Sequence, residues 1–233
     1  MSLDGQRVLA LVPARGGSAR IPGKNLKTIG GRSLVRLAVD IGLAVAQIDE
    51  VIVSSDAPEI LAEGRSAGAT VDHRSAALAR PDTESRDVID ELLARRSDVD
   101  VLVLLQPTSP LRTPADVVAC LDALAYHPTA ATVTRTDHPS AWTRIVSEEG
   151  RLLPAVPADC RMPPAGPEVR LNGAVYTARA SHIRAGGDLV GEHTAAVMMP
   201  RARSVDIDRP FDLHLARLLA SSPFEGEDDL DSA

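Results

Sequence analysis

Apolar residues occur along this chain in short, nearly continuous runs separated by longer stretches with helical spacing. Residues 8–12, 51–54 and 101–105 are rich in Val, Leu and Ile. Runs of this length without alternation predict strands buried on both faces, as in a parallel sheet. Between them, residues 33–46 repeat apolar positions at helical spacing with Ser33 placed to cap the N-terminus, and residues 57–68 and 85–96 also predict helices. A further helix is predicted from Pro114 to about Leu124, with Thr113 as its cap. Pro114 then takes the first helical position, where a missing N–H does no harm. This alternation predicts an α/β fold, a mostly parallel sheet flanked by helices. Right-handed crossovers gather the loops that follow the strands at the carboxyl edge of such a sheet, where ligands usually bind. Residues 15–25, 54–56 and 106–112 fall there.

The pattern changes after about residue 136. Pro154, Pro157, Pro163, Pro164 and Pro167 crowd one stretch, which is expected to be loop-rich. Strand-like pieces return at 174–177 and 195–199. Residues 136–200 are therefore expected to form an insertion, a lid or dimerisation element, within a single domain spanning 1–223. Residues 205–207 predict a last strand, 210–220 a closing helix, and 224–233 a disordered acidic tail.

Composition narrows the function. At 233 residues the chain is long enough for one sizeable core, and with 2% aromatics that core must be built from Val, Leu, Ile and Ala. Five of the acids behind the net charge of −7 lie within the last nine residues (Glu225, Glu227, Asp228, Asp229, Asp231). The body is near neutral and offers no broad basic surface for nucleic acid. Cys120 and Cys160 lie far apart without metal-ligand spacing and read as bystander thiols. No signal peptide or long apolar span is visible, so a cytoplasmic protein without membrane association is expected.

Four segments carry candidate chemistry. The first is PARGGSARIPGKN, from Pro13 to Asn25, directly after the first strand. Backbone N–H groups around Gly17 and Ser18 and the cations Arg15, Arg20 and Lys24 converge at a strand end, which suits a polyphosphate. The loop is not a Walker A motif, because five residues rather than four separate Gly17 from Gly23 and Asn25 replaces Ser/Thr. It also lacks the G-x-G-x-x-G fingerprint. The second is SVDIDRPFD, where Asp206 and Asp208 are two apart. On a strand this spacing puts both carboxylates on one face, a donor pair suited to Mg²⁺ with phosphates and water. Asp212 reads as a helix N-terminal charge. The third is LLQPTSPLR, whose prolines stiffen a loop expected to expose Gln106, Thr108, Ser109 and Arg112. The fourth is RLNGAVY, with Asn172-Gly173 as a turn signal and Arg170 able to meet a carboxylate in a bidentate pair. The histidines at 73, 127, 138, 182, 193 and 214 show no metal spacing.

Together and in this order, PARGGS-x-R-I-P-x-KN, LQPTSPLR, NGA-V-Y and SVDID resemble the signatures of the acylneuraminate cytidylyltransferases, over residues 8 to about 219. The resemblance implies CTP and an acidic sugar as substrates, Mg²⁺ as cofactor and a homodimer. It further implies that Arg15 and Lys24 hold the CTP phosphates and that Asn25 lies near the nucleoside. Arg74, ahead of Leu78-Ala79, and Ser85, in the run DTES, correspond to the cytosine side. Gln106, Arg170, Asn172 and Tyr176 correspond to the sugar pocket, and Asp206 and Asp208 to the metal pair. Many members have lysine after GGS, where this chain has Ala19 followed by Arg20. The run S-A-R-I-P-G-K is similar to the S-T-R-L-P-G-K loop of the KDO cytidylyltransferases, so Arg20 is expected to supply the charge.

The expected reaction is attack by a hydroxyl of an acidic sugar on the α-phosphorus of CTP, with pyrophosphate leaving and Arg15, Arg20 and Lys24 stabilising its charge. No residue stands out as a general base. Other readings stay open at this level: a KDO-type or phosphonate cytidylyltransferase, a D-x-D glycosyltransferase, or a catalytically silent nucleotide-binding protein.

Overall fold

A computed structural model describes residues 5–75, 78, 80, 83–155 and 166–222. The strands are β1 (Val8–Pro13), β2 (Thr28–Ile29), β3 (Arg32–Ser33), β4 (Glu50–Ser55), β5 (Thr70–His73), β6 (Val101–Leu104), β7 (Thr129–Arg135), β8 (Arg144–Val146), β9 (Leu152–Pro154), β10 (Val169–Arg179) and β11 (Thr194–Met198). The helices are α1 (Leu34–Ala44), α2 (Pro58–Ser66), α3 (Ser85–Arg95), α4 (Pro114–Ala123), α5 (Ala180–Arg184) and α6 (Pro210–Ser221).

Seven strands form one sheet in the order β11-β7-β10-β6-β1-β4-β5. Neighbours pair in parallel except β10, which runs antiparallel between β6 and β7. The unbroken apolar runs have their explanation in the two faces. On β1, Val8, Ala10 and Val12 join the core on one side with Val35 and Val39 of α1 and Val117 and Leu121 of α4. Leu9 and Leu11 join the core on the other with Ile89 and Leu92 of α3 and Ile183 of α5. A strand covered on both faces has no position left for a polar residue.

Helix starts follow local chemistry. The Ser33 hydroxyl accepts from Arg36 N at the head of α1. Thr113 and Asp116 form a capping box ahead of Pro114. Asp212 accepts from the backbone of both Asp208 and Arg209 at the head of α6, the helix-terminal role expected for it.

Three expectations need correction. Residues 136–200 are not one insertion, because β10 and β11 are integral strands of the main sheet. What stands outside the sheet is the β8–β9 hairpin, which pairs only with itself. Residues 205–207 make no ladder; Ile207 N bonds to Thr108 O at 2.7 Å outside any strand pairing among the described residues. Asn172-Gly173 is not a hairpin turn. It lies inside β10, where the register against β7 slips between Leu171 and Tyr176. Cys120 is a buried free thiol, pushed up to about 12 by burial. Cys160, most of the proline-rich stretch and the acidic tail fall outside the described residues.

Candidate active site

The carboxyl edge gathers the sequence motifs as expected. After β1 the chain turns through residues 14–23, and Gly16 N donates to Asp56 Oδ1 at 2.8 Å, tying the loop to the end of β4. The loop closes in a short 3-10 turn, Lys24–Leu26, which buries Asn25 so that its amide donates to Arg15 O at 2.9 Å. Two anchors thus hold the loop without a phosphate-binding helix at its end.

A cavity of about 180 Å³ opens against this loop. Arg15, Ser18, Lys24 and Asn25 line one part of it; Arg74, Thr83, Glu84, Ser85 and Val88 line another, with Gln106 and Thr108 in the wall. Arg74 donates to Ser54 O at 3.0 Å, its Nε has no partner among the described residues, and burial lowers its pKa against the pull of Asp56 and Asp72. A second cavity, about 330 Å³, lies alongside. It shares Glu84, Ser85 and Gln106 with the first and adds an apolar wall that includes Leu104, Leu171, Tyr176, Leu189 and Val190. Gln106 Nε2 reaches Ser85 Oγ at 3.4 Å on the partition. Burial, and the charge of Asp206 after it, raises the Tyr176 phenol.

The acids sit beside the loop. Asp206 and Asp208 flank Ile207, which is fully buried, and both are exposed, the same-side placement their spacing predicts. Asp208 is paired with Arg20 at 3.0 Å and Lys24 at 3.4 Å, and Lys24 also donates to Ile207 O at 2.6 Å. Asp206 accepts from Thr108. Although Asp206 keeps an open face, loss of solvent around the carboxyl raises its pKa, reinforced by Asp208 and Asp212 and opposed by the Thr108 bond and by Lys24. Two neighbouring carboxylates, one with raised proton affinity, form a hard oxygen donor pair that fits Mg²⁺ alongside phosphates and water. Among the described residues no third His, Cys, Asp or Glu completes an all-protein cage.

The loop after β6 departs from expectation. Gln106 and Thr108 face the cavities, but Ser109 and Arg112 are buried. Ser109 Oγ donates to Asn172 O at 3.0 Å. Arg112 donates to Gln106 O, and burial drives its pKa down to about 9 against Asp116 and Asp206. The prolines therefore fold the loop inward.

On β10, Asn172 is 1% exposed. Its Oδ1 accepts from Thr132 at 2.7 Å, and its Nδ2 donates to Ser204 Oγ at 3.0 Å. Asn172 is thus built into the frame behind the site, a correction to its expected place in the sugar pocket. Gly173 follows at φ 72°, and a Cβ there would stand 2.9 Å from Gln106 Oε1 and 3.0 Å from Ser109 Oγ. Only glycine allows this approach. Arg170 is exposed, donates to Ser204 O at 3.4 Å and lines neither cavity. Gly17 and Arg20 also lie outside both linings, Arg20 on the rim through Asp208.

A family model described as "Cytidylyltransferase" matches residues 9–149, which span β1 through the loop, the Gln106 segment and α4. This chain belongs to the cytidylyltransferase family. It is 30% identical over 225 residues to the CMP-N,N'-diacetyllegionaminic acid synthase of Legionella pneumophila, covering 91% of this chain and 96% of that protein. It is 27% identical over 215 residues to the N-acylneuraminate cytidylyltransferase of Escherichia coli, of which it spans 51%. These relatives place the cytidylyltransferase in the acylneuraminate, or CMP-sialic acid synthetase, group. Its fold is that of a CMP:2-keto-3-deoxy-manno-octonic acid synthetase solved with CTP (TM-score 0.66, 21% identity, 94% of this chain and all of that one). A 4-diphosphocytidyl-2C-methyl-D-erythritol synthase from Anaerococcus prevotii is similar in the same way (TM-score 0.64, 13% identity, covering 94% and 98%).

The motifs foresaw most polar lining residues. They missed Thr83 and Glu84, which precede Ser85 in DTES, Arg86, which follows it, and Asp188, Leu189 and Val190. Nothing in an isolated DLV tripeptide signals a cavity wall.

Proposed function

We propose that this cytidylyltransferase converts CTP and an acidic sugar of the nonulosonic acid class into the CMP-sugar and pyrophosphate. The observation that carries the reading is the pair of cavities sharing Glu84, Ser85 and Gln106: a cation-lined one for the nucleotide and a larger, more apolar one for the acid. A transfer between two substrates needs two sites with a common wall, so that the reacting atoms meet within contact distance.

In this reading Arg15, Lys24 and Ser18 bind the triphosphate, and Arg74, Thr83 and Ser85 hold the nucleoside. Gln106 orients the acid at the partition, with Tyr176 in the wall behind it. The acid's hydroxyl oxygen bonds to the α-phosphorus, the bond from that phosphorus to the bridging oxygen of the β-phosphate breaks, and the hydroxyl proton leaves to solvent. Asp206 and Asp208 would hold Mg²⁺, which when bound neutralises phosphate charge and polarises the α-phosphate. Arg20 and Lys24, tied to Asp208 in the free protein, stand where the departing pyrophosphate needs positive charge. Arg170 lies outside both linings and takes no part in this scheme.

A homodimer belongs to the same proposal. Ile145 with Leu153 on one face of the β8–β9 hairpin and Val146 with Leu152 on the other are 53%, 45%, 67% and 71% exposed, apolar surface that a second copy would cover. Sedimentation of the purified protein tests it, and a monomer at working concentration refutes it. A cytoplasmic location is proposed because CTP is an intracellular metabolite; among the described residues no helix is long and apolar enough to cross a membrane.

The deciding experiment is pyrophosphate release from CTP and Mg²⁺ against neuraminate, diacetyllegionaminate, KDN and KDO, with and without chelator. Release with a nonulosonic acid, lost on chelation and restored by Mg²⁺, is expected. Release with none of the acids refutes the reading.

A further inference from the structure

The wall formed by Asp188, Leu189 and Val190 belongs to the loop that follows α5, far in sequence from the nucleotide motifs. One side chain connects it to them. Arg86 lies in the first turn of α3, directly after Ser85, one of the three residues shared by both cavities. Its Nη1 donates to Gly187 O at 2.7 Å and its Nη2 to Ile183 O at 3.4 Å. Its Nε donates to both Asp90 oxygens, at 2.9 and 2.8 Å, one turn further along α3. A planar guanidinium spans two carbonyls and a carboxylate at once, which a lysine ammonium cannot do with the same geometry.

Apart from Arg86, the loop is held by short-range bonds to the end of α5 and by the edge of the core. His182 Nε2 lies 3.1 Å from Asp188 O, and Leu189 packs against the edge of the core. Gly187 N donates to His182 O at 3.0 Å, and a Cβ at Gly187 would come within 2.2 Å of the His182 ring. Of the described residues lining the second cavity, Arg86 alone is cationic, yet three of its nitrogens are already committed to α3, α5 and this loop.

We infer that Arg86 is a positioning residue, a latch that fixes the 187–190 wall of the acid-binding cavity to the N-terminal turn of α3 that borders the nucleotide. The inference rests on the proposed assignment of the second cavity to the acidic sugar. The latch sets the shape of the acid pocket and leaves the nucleotide pocket alone, since none of its partners lines the latter.

The test compares wild type with Arg86→Met and Asp90→Asn, the second loosening the latch without removing it. Kd for CTP is measured by calorimetry without acid, KM for the acid by pyrophosphate release, and backbone amide exchange at residues 187–190 by mass spectrometry without substrates. For Arg86→Met, exchange at 187–190 rises and KM for the acid rises about tenfold, the scale of losing one charge-assisted hydrogen bond, while Kd for CTP stays within about twofold of wild type. Asp90→Asn moves the same readouts in the same direction by less, and carries the test if Arg86→Met does not fold. An equal loss of CTP affinity would mean a general structural role and overturns the latch. A rise in KM with unchanged exchange would mean direct contact with substrate and also overturns it. Should wild type turn over no acid, the functional reading fails while the exchange arm still decides whether the latch exists.

Discussion

Replacing Gly173 with alanine tests how the frame and the site are joined. The residue holds φ at 72°, a left-handed conformation that costs an L-residue about 1–2 kcal/mol. The new Cβ would also stand 2.9 Å from Gln106 Oε1 and 3.0 Å from Ser109 Oγ. Ser109 is fully buried and bonded to Asn172 O, so it cannot retreat, whereas the Gln106 side chain reaches into open cavity and can. The contact with Gln106 therefore resolves by swinging it away from Ser85, while the tight contact with Ser109 remains and adds up to ~1 kcal/mol of strain. In total about 1–3 kcal/mol of stability is lost, which in a chain of this size lowers Tm by about 2–12 °C. Thermal unfolding measures the first effect and pyrophosphate-release kinetics the second, since Gln106 walls both cavities and its displacement raises KM for the acid. A Gly173→Ala protein with Tm within about 1 °C of wild type and unchanged kinetics would show that neither the backbone conformation nor the close approach matters.

Asp208→Asn is expected to lower turnover by at least about 10²-fold in the same assay, and a rate near wild type would remove Asp208 from the proposed metal pair. Asn172→Ala removes the acceptor of the buried Ala174 N–H, while the Thr132 and Ser204 hydroxyls keep Val175 O and Pro200 O, and should cost about 1–3 kcal/mol in urea unfolding; a neutral change would contradict its role in the frame. Glu50 is held below its ordinary value of 4.5 chiefly by its bond to Arg96, with Arg7 adding to it and burial opposing. A lowered folded-state value means stability present above pH 4.5 and lost as pH falls through the folded value. Glu50→Gln should therefore lower Tm at pH 7, by roughly 1 kcal/mol equivalent, and lose this effect in strong acid; a pH-independent difference would refute the ion-pair account.

The parallel half of the sheet was legible because burial on both faces leaves unbroken apolar runs, as in β1, β4 and β6. β5 was not, since TVDH is short and half polar. β7 was hidden by its composition, TAATVTR, in which small residues and threonines serve where larger apolar ones would announce a strand. The middle of β10 read as a turn because Asn-Gly is the commonest hairpin signal, and only the tertiary approach of Gln106 and Ser109 explains the glycine. At the site, cations and acids were visible because their chemistry survives without context. The inward folding of Ser109 and Arg112 was not, since proline fixes the backbone without saying which side faces the core. The acid-cavity wall at 188–190 had no local signal at all, as its role comes from Arg86, about a hundred positions earlier.

The antiparallel strand also governs how the molecule can be made. β10 occupies the gap between β6 and β7 and bonds to both, yet it is nearly the last sheet strand to leave the ribosome. Until residue 179 emerges, β6 and β7 each present an open edge of unpaired backbone, and Gln106 has no Gly173 to pack upon. Pairing across such a span is slow and leaves edges available to other nascent chains. Synthesis of this protein therefore passes through a stage that carries the nucleotide loop and most of the first cavity but has no closed sheet, and chaperone demand should peak there.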